Sequence, residues 1–366
     1  MRLQLIVAWS PASLALLAAL SALSAGAAHA QVADQAAGTG DAQASLAMYA
    51  DSDKTTVVTS VVDGHVRLPV PVTVSAHALV DAVSSASVDV VSAATPRFSE
   101  NRIELGTTAQ LGLSSGTDAT IGYTYSGEND WQSQALELGV SRELAHKNAR
   151  LTVGVGVTRN HVGRAHDPSF EKTLDVGGAQ LGLAQVLGKK TLATVAYTVS
   201  HARGYQGSPY RFIMMMDRLA APESPPEART RHALTGRILQ VIGRANVVDA
   251  QYRLYLDDWG ILSHTAEVAY TRELTDQLSL RLRVRGYRQH HAEFYRETYD
   301  APMRYMTVDR ELSTFWDATG GVKLGWRGER WDLEAKADTG VYRFEDYARL
   351  RGRVTVVTAA GATWRW

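Results

Sequence analysis

The chain has 366 residues, with 38 Lys and Arg against 38 Asp and Glu, and no cysteine. That balance gives no electrostatic reason to expect nucleic acid as a partner, and the absent thiol excludes disulfides, cysteine zinc sites, thiol catalysis and lipid attachment to an N-terminal cysteine. Hydrophobic residues at 45% and charged residues at 21% fit neither a disordered chain nor a helical membrane protein.

Residues 1–30 read as a secretory signal peptide: Arg2, then a Leu- and Ala-rich apolar stretch, then Ala28, His29 and Ala30 ahead of Gln31. No later run reaches the roughly 18–20 apolar residues of a spanning helix. Residues 31–53 are small and polar without periodicity and are expected to be a flexible N-terminal segment or a plug.

From 54 to 366 one pattern recurs, an alternation of apolar with small or polar residues at a period of two. Ile103, Leu105, Ala109, Leu111 and Leu113 oppose Arg102, Glu104, Gly106, Thr108, Gln110 and Gly112. Leu151, Val153, Val155 and Val157 oppose Thr152, Gly154, Gly156 and Thr158, and Leu280, Leu282 and Val284 oppose Arg281, Arg283 and Arg285. Short links at 114–117, 145–148, 188–190, 243–246, 274–277 and 327–330 alternate with longer ones near 84–100, 161–173, 201–228, 291–310 and 343–352. Short turns on one side and long loops on the other are the signature of an outer-membrane barrel. A soluble sandwich also alternates, but its strands average only about 5–6 residues.

The expected fold is therefore all-β, an antiparallel transmembrane β-barrel with short periplasmic turns and long extracellular loops, in the outer membrane of a Gram-negative bacterium. Segments from 69–82 through 354–366 count as fourteen strands, with Pro69 and Pro71 at the start of the first. A further run at 55–66 makes sixteen the alternative; a segment held in the lumen would keep fourteen. Tyr123, Tyr125, Trp131, Tyr197, Tyr270, Trp326, Trp331, Trp364 and Trp366 fall at segment ends, where lipid–water interfaces collect amphipathic rings. Outer-membrane barrels resemble one another in ending on an aromatic residue, which implies that Trp364, Trp366 and their strand are the signal read by the barrel-assembly machinery.

The stretches 81–102, 201–211 ("HARGYQGSPYR") and 287–295 ("YRQHHAEFY") resemble, in this order, the bacterial family catalogued as domain of unknown function 3570. The resemblance implies an outer-membrane barrel and an envelope lipoprotein as a candidate partner. It names no chemistry, no cofactor and no catalytic residue to carry over.

The strongest candidate for function is the polar face. Arg281, Arg283 and Arg285 form a basic ladder; Arg231 and Arg237 face inward from another strand and Arg253 from the next. Asp332, Glu334, Lys336 and Asp338 line a strand two along from the ladder, with Asp317 and Lys323 between. Such a lining fits a pore with a transverse field that filters small polar solutes; the alternative is an interior laced shut by ion pairs, as in a closed surface or complex scaffold. Histidines 161, 166, 201, 232, 264, 290 and 291 lie near loop ends, but their spacing matches no metal motif. Met214, Met215 and Met216 suit an apolar loop tip folded onto the barrel mouth better than a soft-metal site. A lipid-hydrolysing barrel would need an outward Ser–His pair; His264 faces outward but Ser263 inward, and there is no G-x-S-x-G stretch, so no enzyme is expected.

Overall fold

The period-two pattern resolves into long strands whose apolar face points outward. The computed structural model describes residues 38–85, 98–165, 167–215 and 220–366. In chain order the first strands are β1 (Gly40–Asp51), β2 (Thr55–Arg67), β3 (Val72–Ser85), β4 (Phe98–Ser114), β5 (Thr117–Gly127) and β6 (Trp131–Leu144). They continue as β7 (Ala149–Val162), β8 (Lys172–Gly188) and β9 (Thr191–Gly204), then the small loop strands β10 (Phe212–Met214) and β11 (Ala220–Pro222). The rest are β12 (Ala228–Ile242), β13 (Asn246–Asp257), β14 (Leu262–Glu273), β15 (Leu278–Gln289), β16 (Phe315–Arg327), β17 (Trp331–Phe344) and β18 (Gly352–Arg365). All but β10 and β11 pair with their neighbours into one closed antiparallel barrel of sixteen strands.

Closure follows from solvent. In hydrocarbon an unpaired edge leaves a row of N–H and C=O groups without partners, so a sheet survives only as a ring. The seam is β1 against β18, in register from Asp41–Arg365 to Asp51–Thr355. Trp366 finishes it: its N–H donates to the Gly40 carbonyl at 3.1 Å, and the Gly40 N–H donates to the Trp366 carbonyl at 3.2 Å. The indole covers Gly40, where a Cβ would sit 2.7 Å from Cζ2 of the ring. Outward side chains stay open to the surroundings, Val157 at 60% and Val284 at 66%. Moving such a side chain from water to lipid is worth roughly 1–2 kcal/mol.

The ring settles the count at sixteen, the stated alternative, and moves the expected boundary. Residues 55–66 form wall strand β2 rather than a lumenal segment, and the fourteen strands from 69 onward are joined by two more. The segment 31–53 is not wholly a lead-in or plug, because Gly40–Asp51 is β1. Its outward face carries Ala42, Ala44 and Ala50 beside Leu46 and Met48, so the apolar contrast that marks the other strands is weak there. Trp131 also departs from the girdle: its indole N–H donates to Asn160 at 3.2 Å and its ring packs on the inward Leu174, Val176 and Ala202. The signal peptide, His166 and Met216 lie outside the described residues.

Candidate functional site

The inner wall divides into arcs. On β12–β15, Arg229, Arg231, Arg237, Arg253, Arg281, Arg283 and Arg285 share the inward parity with fewer carboxylates, Asp249, Asp257, Glu267 and the rim residue Glu273. Asp249 accepts from Arg237 Nε and Nη2, both at 2.7 Å, and from Arg281 at 3.0 Å. Arg283 reaches Glu267 at 3.2 Å and Asp338 at 3.1 Å, spanning from β14 to β17. Arg285 meets Asp317 at 2.7 Å. Lys323 contacts Glu334, Lys336 lies 3.9 Å from Asp338, and Arg365 reaches Asp332 at 2.8 Å. At least ten of the twelve expected lining residues are thus joined in ion pairs along one side; Arg231 and Arg253 also face inward, nearer the long loops.

Counting around the ring, β2–β5 stand opposite β12–β15. Their inner face has the reverse excess: Asp63, Asp81, Glu104 and Asp118 against Arg67 and Arg102 among the described side chains. His77 Nδ1 is 2.6 Å from Asp63 and Nε2 is 3.6 Å from Glu104; Arg102 contacts Glu104, and His65 contacts Asp41. Between the two charged arcs, β7–β9 present Thr152, Gly154, Gly156, Thr158, Gly178, Gln180, Gly182, Thr194, Ala196 and Thr198 to the interior.

The long loops interlock across the mouth. Arg211 donates to Glu223 at 3.0 and 3.1 Å and to Asp309 at 2.8 Å, and the Thr307 hydroxyl donates to Glu223 at 2.9 Å. Burial pushes the Glu223 carboxyl above the usual carboxylate range, with Arg211 opposing. Ile213, Met215, Tyr299 and Met306 pack into a small apolar core between these loops, while Met214 stays exposed. On one flank the Tyr210 hydroxyl meets Asp130, and Arg164 Nε donates to the Pro209 carbonyl at 3.0 Å. On the other, a short 3-10 helix (Arg310–Leu312) ties the loop to the wall: Arg310 bonds Asp53 at 2.7 Å, and Arg353 bonds Glu311 at 2.9 Å. Glu293 N–H bonds the Trp259 carbonyl at 2.9 Å, and the Tyr295 hydroxyl bonds the Asp346 carbonyl at 3.0 Å. Every loop-side link that is described in full is tied to another.

The histidines stay apart. His232 pairs with Tyr197 at 2.7 Å, His264 with Tyr252 at 2.6 Å and His201 with Thr230 at 3.0 Å, all on the outer surface. Among the described residues no three His, Asp or Glu side chains are grouped to hold a metal ion. Ser263 is buried on the inner face and His264 lies outside, as their parity dictates.

A family model described as "Protein of unknown function (DUF3570)" matches residues 87–363. The chain belongs to this family. No curated protein matches it. Among solved structures, the family's barrel resembles a "Bacterial polysaccharide outer membrane secretin", at 8% identity and TM-score 0.53, over 91% of this chain and 100% of that one. It also resembles CdiB from Acinetobacter baumannii, at 9% identity and TM-score 0.53, over 90% of this chain and 61% of that one. The siderophore receptor PirA from Pseudomonas aeruginosa aligns at 8% identity and TM-score 0.49 over 89% of this chain, which spans 62% of PirA. At such identities the likeness is one of fold: an outer-membrane barrel.

The sequence did not single out the carboxylates Asp249 and Glu267, although both stand at the inward parity of strands that were recognised. The acidic arc was legible in the same way, at Asp63, Asp81 and Glu104. The loop contacts left no periodic signal at all.

Proposed function

We propose that this protein is an outer-membrane channel for small polar or charged solutes, a conduit rather than an enzyme. The observation that carries the reading is the opposition of a basic arc on β12–β15 to an acidic arc on β2–β5. Charges of opposite sign on facing walls set a field across the lumen, which orients a dipolar solute and selects among ions. Sixteen strands also fall in the size class that leaves an aqueous interior rather than one filled by side chains. Planar-bilayer recordings test this. The folded protein should pass current, and the R281A/R283A/R285A variant should lose anion preference. Unchanged selectivity would remove the ladder from the conducting path.

A second reading has its own support. The interlocked loops favour a closed barrel that serves as a surface or envelope-complex scaffold, with a lipoprotein as candidate partner. A folded barrel that carries no current at any voltage would decide for it.

Outer-membrane lipid meets the apolar outer face in either case, and the C-terminal strand is the segment offered to the assembly machinery. Deleting Trp366 should lower the amount of assembled barrel in the membrane fraction; normal amounts would contradict that role.

A further inference from the structure

Five of the seven arginines of the basic arc can be followed to a carboxylate that neutralises them. Asp249 takes Arg237 and Arg281, Glu267 and Asp338 take Arg283, and Asp317 takes Arg285. Asp257 stands directly across from Arg231 in the β12–β13 register, yet its oxygens are engaged elsewhere. Arg229 donates to Oδ2 from Nε at 2.8 Å and Nη2 at 2.5 Å, and the Tyr255 hydroxyl donates to the same oxygen at 2.7 Å. The other oxygen, Oδ1, accepts the backbone N–H groups of Trp259 and Ile261, each at 3.0 Å.

Arg231 is left with a hydrogen bond to Tyr255, with the charge of Arg229 close by and with Asp257, already engaged by Arg229, as its nearest opposite charge. Its Nε and Nη1 are covered by protein and meet no hydrogen-bond partner. A guanidinium in that state has lost hydration at two donors without replacing it, and it repels its neighbour besides. One side chain along the wall, Arg253 lies over the Tyr255 ring at 5.6 Å. Tyr255 therefore sits among three inward guanidinium groups, its hydroxyl accepting from Arg229 at 3.3 Å and bonded to Arg231, and its face toward Arg253. An oxyanion supplies what is missing, since a carboxylate or phosphate oxygen accepts charge-assisted hydrogen bonds from guanidinium donors and offsets the local positive charge.

We infer that Arg231, with Arg253 and Tyr255, forms an anion seat on the inner wall beneath the loops, taking the carboxylate or phosphate group of a small solute. This rests on the channel reading and deepens it, by naming oxyanions as the class of solute that pauses there.

The test is equilibrium binding of radiolabelled inorganic phosphate to the purified, detergent-solubilised barrel, a measurement independent of conduction. The parent should show saturable binding, weakened about tenfold or more in R231Q. R231K keeps a charge but presents a point donor, and should fall between them; it also serves if R231Q does not fold. No saturable binding by the parent would mean that these donors stay covered and closed to a solute, and would overturn the seat. So would equal affinity in parent and R231Q, or in parent and R231K where only the latter folds. A barrel that binds phosphate through Arg231 yet carries no current would sink the channel reading and leave the seat standing.

Discussion

β7–β9 and β12–β15 are neighbouring arcs of one ring, joined where β9 pairs with β12, and their inner faces are built differently. The first is dominated by glycine, threonine, alanine and glutamine, with Arg150, Leu174 and Val176 only toward its ends; the second carries seven arginines. On the first arc side chains are so small that Gln180 lies over Gly154, where a Cβ would come within 2.7 Å of its Nε2. The second is crowded, and its long side chains reach across two or three strands to their carboxylates, as Arg283 does from β15 to Asp338 on β17. On the channel reading, the first arc leaves room and the second supplies one pole of the field. A wall charged all round would fill its own lumen, whereas a wall neutral all round would have space but no selectivity.

The contrast can be attacked from both sides. The largest effect should come from Asp249→Ala, which leaves Arg237 and Arg281 without their shared carboxylate. We expect a loss of about 2–3 kcal/mol in unfolding from lipid vesicles by urea, somewhat under the 3–5 kcal/mol of a fully buried pair because both arginines are partly hydrated. A loss below about 0.5 kcal/mol would mean that the network is decoration on a stable wall. Thr198→Arg, on the small-residue arc, should act next: it puts a cation where the wall is neutral, narrows the passage and should reduce single-channel current several-fold with little change in stability. Current equal to the parent's would show that solutes do not pass that wall. Thr152→Ala is the smallest, expected within about 0.5 kcal/mol of the parent in the same urea titration, because an isolated small side chain on a wet wall has little to lose.

Much of the wall was legible from residue parity alone. Leu280, Leu282 and Val284 against Arg281, Arg283 and Arg285 can only be a strand between two unlike solvents, and the structure sets those faces as expected. β1 was missed because alanine is nearly neutral in that comparison: Ala42 and Ala44 mark an outward face no better than Ser45 and Ala47 mark an inward one. The pairing of Arg281 with Asp249 was out of reach for another reason. Parity tells which face a side chain takes but not how far neighbouring strands are staggered, and two intervening pairings decide that contact. The loops were least legible, since Ile213, Met215, Tyr299 and Met306 come together through tertiary packing with no repeat to announce it.

The seam has a kinetic consequence. Asp41 is aligned with Arg365, so the seam pairs residues more than three hundred positions apart in the chain. The entropy of closing so long a loop rises only slowly with its length, but contacts this distant are slow to find. Throughout that search the nascent sheet has two open margins, each able to capture another polypeptide. Until β1 meets β18, self-closure therefore competes with misjoining.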